Sequence, residues 1–184
     1  MKKIAIIGIV GLPANYGGFE RFAEQLVMGL WDRYDITVFC SYSAYKEHPK
    51  YFGKVHLKYL HIPPNGLISI LYDVISIISA LSFADTLLIL GVGGCPLLSV
   101  LRFLGCHKKI IVNIDGIEWK RAKWSPLAKW YLHFAEKCAI RYADSVVGDN
   151  KVISDYVENV YHHHCELIEY GADNTKLDDW INDK

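Results

Sequence analysis

"KIAIIGIVGLPANYGGFE", residues 3–20, joins an apolar run to a glycine-rich loop and then to the start of a helix. Residues 3–9 are continuously apolar, the pattern of a strand buried on both faces. In 19–31, Phe19, Phe22, Ala23, Leu26, Val27 and Leu30 recur at helical spacing, with Glu20, Arg21, Glu24 and Gln25 assigned to the opposite side. A strand, a glycine loop and an amphipathic helix in this order make the opening of a β-α unit. Gly8, Gly11, Gly17 and Gly18 do not fit the spacing of a dinucleotide fingerprint, and no lysine stands where a P-loop needs one. Gly17 and Gly18 fall where the helix begins, so free N–H groups and the helix dipole favour an anion there. A plain Pro-Gly turn with no ligand accounts for the same residues equally well.

The alternation continues along the chain. Strands are expected at 35–40, 55–62, 86–91, 108–114, 144–149 and 165–170. Helices are expected over 67–83, from about Cys95 to Leu104, from Pro126 to about Tyr142, and over 150–160. Ser125 reads as the N-cap of the third of these, with Pro126 at its first position. Leu127, Tyr131, Phe134, Cys138 and Tyr142 are taken as its inner stripe. Repeated β-α units with short connections specify an α/β fold with a doubly wound, Rossmann-like parallel sheet. Ligands of such sheets lie beyond the carboxyl ends of the strands. The loops at 10–18, 41–50, 91–96, 115–124 and 149–150 should therefore share one rim.

The 184 residues suffice for one domain with its own core, and 52% are hydrophobic, which excludes general disorder. Twenty basic residues balance twenty acidic ones, which argues against a nucleic-acid binder. Cys40, Cys95, Cys106, Cys138 and Cys165 are scattered, without a C-x-x-C pair, so neither a disulfide framework nor a zinc site is expected and a reducing cytoplasm suits them. The apolar segment 67–83 contains Asp73 and several serines and is read as a buried helix rather than a membrane span.

A second unusual stretch is "NIDGIEWKRAKWSPLAKW", residues 113–130. Asp115 and Gly116 follow directly on a strand, at the rim, where a carboxylate can orient or deprotonate a hydroxyl. Lys120, Arg121 and Lys123 stand among Trp119, Trp124 and Trp130. Cations there can hold a phosphate, and tryptophans can stack on sugars or rest at a membrane surface. A solvated loop whose tryptophans pack on the sheet edge is the plainer reading.

Taken together, "GLPANYGGFE" and "DGIEWKRAKW" resemble the N-terminal domain of bacterial rhamnosyltransferases, which are similar to the GT-B class of retaining glycosyltransferases of capsule and cell-wall polysaccharide assembly. The resemblance runs from "KIAIIG" to "EYGAD" and implies a single acceptor-side GT-B lobe over 1–173, with 174–184 starting a linker toward a C-terminal donor-binding domain. It implies dTDP-rhamnose as donor substrate, with no cofactor or metal, and a lipid-linked or growing glycan as acceptor. The reaction would take place in the cytoplasm, at the inner face of the cell membrane. Gly17 and Gly18 would face the donor diphosphate, Asp115 would stand nearest the chemistry, and Glu20, Glu118, Arg121 and Lys123 would line the acceptor side. The paired-glutamate motif that grips the nucleotide sugar in that class does not follow, so the chain as given is expected to fold but not to transfer. Two alternatives remain: a non-catalytic glycan- or membrane-binding module, and a nucleotide-dependent oxidoreductase, which the missing fingerprint opposes.

The run His162–His164 reads as a polar turn rather than a metal site, since three consecutive side chains rarely converge on one ion. Cys95 in "VGGCP" reads as a passive thiol in a tight turn. Asp149 and Asn150 read as caps of the following helix.

Overall fold

The computed structural model describes residues 1–169 apart from positions 16, 65, 67 and 115; the expected linker at 174–184 lies outside them. The elements are β1 (Lys3–Ile7), α1 (Gly18–Leu30), β2 (Asp35–Ser41), β3 (Tyr51–Phe52), β4 (Val55–Leu60), α2 (Ile68–Leu81), β5 (Thr86–Leu90), α3 (Pro96–Phe103), β6 (Lys109–Ile114), α4 (Pro126–Tyr142), β7 (Ser145–Gly148), α5 (Lys151–Tyr161) and β8 (Glu166–Leu167). Single 3₁₀ turns occupy Tyr42–Ala44 and Glu118–Lys120.

The strands form one sheet in the order β3-β4-β2-β1-β5-β6-β7-β8. Every pairing is parallel except that of β3 with β4. The chain winds outward from β1 through β2 to β4, then crosses back to β5 and winds the other way. β1 and β5 are therefore the topological switch point, where a doubly wound sheet opens a crevice at its carboxyl edge. The parallel register puts the loops after β1, β2, β5, β6 and β7 at that edge.

Alternate residues of β1 serve two cores. Ala5 and Ile7 join Ile77 and Ala80 of α2, Leu98 and Leu101 of α3, Ala135 and Ala139 of α4, and Ile153 and Val157 of α5. Ile6 joins Ala23 and Val27 of α1 together with Ile36, Val38 and Val55. One helical layer thus holds α2 to α5 and the other holds α1, as right-handed crossovers on either side of the switch point require.

Four sequence expectations are corrected. The short antiparallel strand β3 stands at one edge, where none was expected. Glu20, assigned to the solvent side of α1, is buried at 4% exposure. On α4 the buried positions are Ala128, Ala135, Glu136, Cys138, Ala139 and Ile140, while Leu127 and Phe134 of the expected stripe are exposed. Small residues let α4 lie close to α3 and the sheet, so its large side chains point outward. Finally, α2 is not a fully buried helix: Ile68, Leu71 and Ile78 are exposed. No helix among the described residues is long and apolar enough to cross a membrane.

Candidate functional site

The crevice at the switch point is a cleft of about 230 Å³, lined by the loop after β1, the start of α1 and one side of α2. Gly8, Gly17, Gly18, Glu20, Tyr72 and Asp73 are among its walls. Gly8 turns the chain out of the sheet at φ 93°, and a Cβ there would stand 2.1 Å from the Leu90 carbonyl oxygen of β5. That contact ends β1 two residues earlier than its apolar run suggests.

The loop is then folded back by its own helix. The Glu20 carboxylate accepts from the Val10 N–H at 2.9 Å, and Glu24 accepts from the Ala14 N–H at 2.7 Å. Glu20 is buried where its carboxylate serves the buried Val10 N–H, whose loss of water needs an acceptor in return. Two tyrosines fasten the neighbouring elements: Tyr72 of α2 donates to the Ile9 carbonyl at 3.1 Å, and Tyr131 of α4 donates to the Gly93 carbonyl at 2.7 Å. Gly17 stands at the N-cap of α1, and a Cβ on Gly18 would meet nothing within 4 Å. The main chain is thus open at Gly18, whereas at Gly17 a Cβ would meet Glu20 Oε2 at 3.1 Å.

Asp73 was legible only as an interruption in an apolar helix. It lines the cleft from α2, pressed against the turn after β5: a Cβ on Gly93 would stand 2.7 Å from its Oδ2, and one on Gly94 2.7 Å from its Cβ. Burial pushes its carboxyl up to about 7. Among the described residues the cleft walls include two carboxylates and no lysine or arginine. An anion held here would rely on main-chain N–H groups, and Asp73 would oppose it less once protonated.

Of the sequence-assigned residues, Gly17, Gly18 and Glu20 therefore meet at this cleft. Glu118, Arg121 and Lys123 meet one another elsewhere on the rim. Glu118 pairs with Arg121 at 2.8 Å and with Lys123 at 3.0 Å, and accepts from Trp124 Nε1 at 3.3 Å. Asp115 lies outside the described residues.

The loop is anchored by a residue that sequence reasoning missed. Glu136 of α4 is 1% exposed, and its Oε1 accepts from Trp119 Nε1 at 3.3 Å, the Tyr156 hydroxyl at 2.7 Å and the Tyr161 hydroxyl at 2.5 Å. Lys120 lies over the rings of Trp119 and Tyr156, at 5.3 and 5.4 Å. Burial, then the bond to Glu136, pushes the Tyr161 hydroxyl well up, so it remains a donor. Only an acid between Ala135 and the run at 138–140 hinted at this network.

The remaining signals take structural places. Ser125 and Asn150 cap α4 and α5 by accepting from Ala128 N and Ile153 N. His162 closes α5 in the left-handed conformation, and His164 faces Glu158 and Glu166. Among the described residues no three metal-ligating side chains cluster. Cys95 is fully buried, and desolvation pushes its thiol well above the ordinary range, which leaves it inert as a nucleophile.

Residues 1–173 match the family described as "Domain of unknown function (DUF1972)". The chain belongs to the DUF1972 family. No curated protein matches it. Among solved structures, the DUF1972 chain is similar to a sucrose-phosphate synthase from Thermosynechococcus elongatus, with TM-score 0.72 and 15% identity over 94% of this chain and 49% of that one. It is also similar to UGT89C1 of Arabidopsis thaliana, solved in complex with UDP, with TM-score 0.52 and 12% identity over 93% of this chain and 49% of that one. The DUF1972 chain thus spans about half the length of these structures. At this identity the likeness is one of fold: this is the fold of a GT-B glycosyltransferase lobe.

Proposed function

We propose that this chain is the acceptor-side lobe of a glycosyltransferase, and that the whole enzyme moves rhamnose from dTDP-rhamnose to a lipid-linked or growing glycan. The observation that supports it most is the glycine-walled cleft at the switch point of a GT-B-like sheet. Gly17 and Gly18 would meet the donor diphosphate there through main-chain N–H groups, the charge being met chiefly from a second lobe. Asp115, on the loop after β6, would orient the acceptor hydroxyl or stabilise an oxocarbenium-like sugar. Arg121 and Lys123, already balanced by Glu118, would line the acceptor side, and Glu20 would act through the loop it holds.

The test is to express the open reading frame that encodes this chain and assay its product with dTDP-rhamnose and a lipid-linked glucose acceptor. This chain alone and an Asp115→Ala version of the product are run beside it. Transfer by the product, none by the chain alone and a loss of about a hundredfold or more in the variant is the expected result. Turnover by the isolated chain, or an undiminished variant, would overturn the assignment. A product that transfers nothing would favour a glycan- or surface-binding module, a reading that the exposed apolar residues of the helical layer also support.

A further inference from the structure

The outer surface of the layer formed by α2 to α5 is unusually apolar. On α3 and α4, Phe103 is 91% exposed, Leu104 72%, Leu127 76% and Trp130 66%, with Val100 and Phe134 also exposed. The two helices pack on each other and run in the same direction: Tyr131 reaches Gly93 before α3, and Arg102 near its end reaches the Tyr142 carbonyl. Leu127, Trp130, Phe134, Lys137 and Arg141 follow one another at spacings of three and four, within roughly 80° of the helix circumference. The rings of Trp130 and Phe134 stack at 6.1 Å. One line along α4 therefore passes from apolar and aromatic side chains to two cations.

Those cations open onto a groove of about 560 Å³ lined by Lys137, Ile140, Arg141, Tyr142, Tyr161 and His163. No acid lines it. Among the described residues, neither Lys137 nor Arg141 is in an ion pair. The nearby Arg102 is already committed to Asp144 at 2.6 Å. An exposed indole and phenyl, flanked by aliphatics and by cations without counter-ions, match the boundary of an anionic bilayer, where rings sit among headgroups and lysine and arginine meet phosphates.

We infer that the α3–α4 face docks on an anionic phospholipid surface, with Leu127, Trp130 and Phe134 entering the headgroup layer and Lys137 and Arg141 holding lipid phosphates. This moves membrane contact from the basic-aromatic loop at 118–124, whose Arg121 and Lys123 are paired with Glu118, to the outer side of the helical layer. It deepens the proposed function, resting on that reading only for the purpose served, to meet a lipid-linked acceptor.

The experiment is cosedimentation of the chain with phosphatidylcholine vesicles, with and without phosphatidylglycerol. The variants are Trp130→Ser with Phe134→Ser, and Lys137→Ser with Arg141→Ser. All four side chains are exposed, so the melting temperature of each variant should match that of the parent, and this is measured alongside. Binding to phosphatidylglycerol vesicles, weakened about tenfold by either pair and strongly reduced at high salt, is the expected result. Absence of binding, or equal binding to neutral vesicles, overturns it. So does displacement by inorganic phosphate at a concentration where sodium chloride of equal ionic strength has no effect, which would assign the cations to a soluble anion. Concentration-dependent dimerisation abolished by the aromatic pair would assign the face to a second copy. Transfer to a water-soluble acceptor scores the glycosyltransferase reading separately, since vesicle binding does not depend on it.

Discussion

The cleft at the switch point has three glycines among its walls, whereas the loop at 116–124 is held by side chains. In the cleft, Gly8, Gly17 and Gly18 leave room for close approach to the backbone, and Glu24 together with Glu20 and Tyr72, which share the walls, fixes the loop's course. In the loop, Glu136 fixes Trp119 from below while Glu118 ties together Arg121, Lys123 and Trp124 above. A main-chain surface offers N–H groups at set positions and tolerates little change in geometry. A side-chain surface can vary its chemistry while its anchor stays in place. The first arrangement suits a ligand part that never varies, such as a diphosphate, and the second suits one that does, such as an acceptor glycan.

The sharpest way to break this contrast is Gly8→Ala. Its Cβ would meet the Leu90 carbonyl in a backbone conformation that disfavours alanine, at a cost of about 3 kcal/mol or more. Urea denaturation should show this loss or no folded protein; a stable variant would mean that the β1–β5 contact is not fixed. Next in size is Glu136→Ala, which leaves three donors at a buried site without their acceptor and should cost about 3 kcal/mol. It should also red-shift tryptophan emission as Trp119 loosens, while melting of the Gly17–Gly18 region by hydrogen exchange stays unchanged. An effect spread equally over both regions would mean that they are one unit.

Asp73→Asn probes the cleft with the opposite sign. Because burial raises this carboxyl to about 7, the folded protein binds its proton more tightly than the unfolded chain does. That stability is complete below the ordinary aspartate range and is lost as pH rises through 7. The stability of the asparagine variant relative to the parent should therefore rise by about 2–3 kcal/mol between pH 5 and pH 8. A pH-independent difference would remove Asp73 from the cleft's electrostatics. Smallest is Glu118→Gln, which should cost less than about 1 kcal/mol and only at low salt, because its pairs are near the surface.

The sequence showed the sheet well because parallel strands must be apolar on both faces, as in residues 86–90 and 109–114. Caps were equally legible: Ser125 and Asn150 act locally, within three residues. Burial on helices was less so. Size and apolarity placed Leu127 and Phe134 inside α4, but close packing against α3 favours alanine, and that preference depends on a neighbour the sequence does not name. The polar anchors were hardest. Glu20 is buried for the sake of an N–H ten residues away, and Glu136 for donors seventeen, twenty and twenty-five residues away. No periodicity records such debts between distant positions. Asp73 was noticed, but only its contact with Gly93 and Gly94 makes it part of a cleft.

The two borders of the sheet carry a practical consequence. β3 and β8, which close it at either side, are each two residues long. Strands that short give an incoming chain almost no row of free amides and carbonyls to copy, so sheet-to-sheet growth has little template. A molecule with so many bare aromatic and aliphatic groups on its helices would otherwise have two routes to sticking. Clumping in solution would then point first to the helices, and detergent or lipid is the first remedy to try.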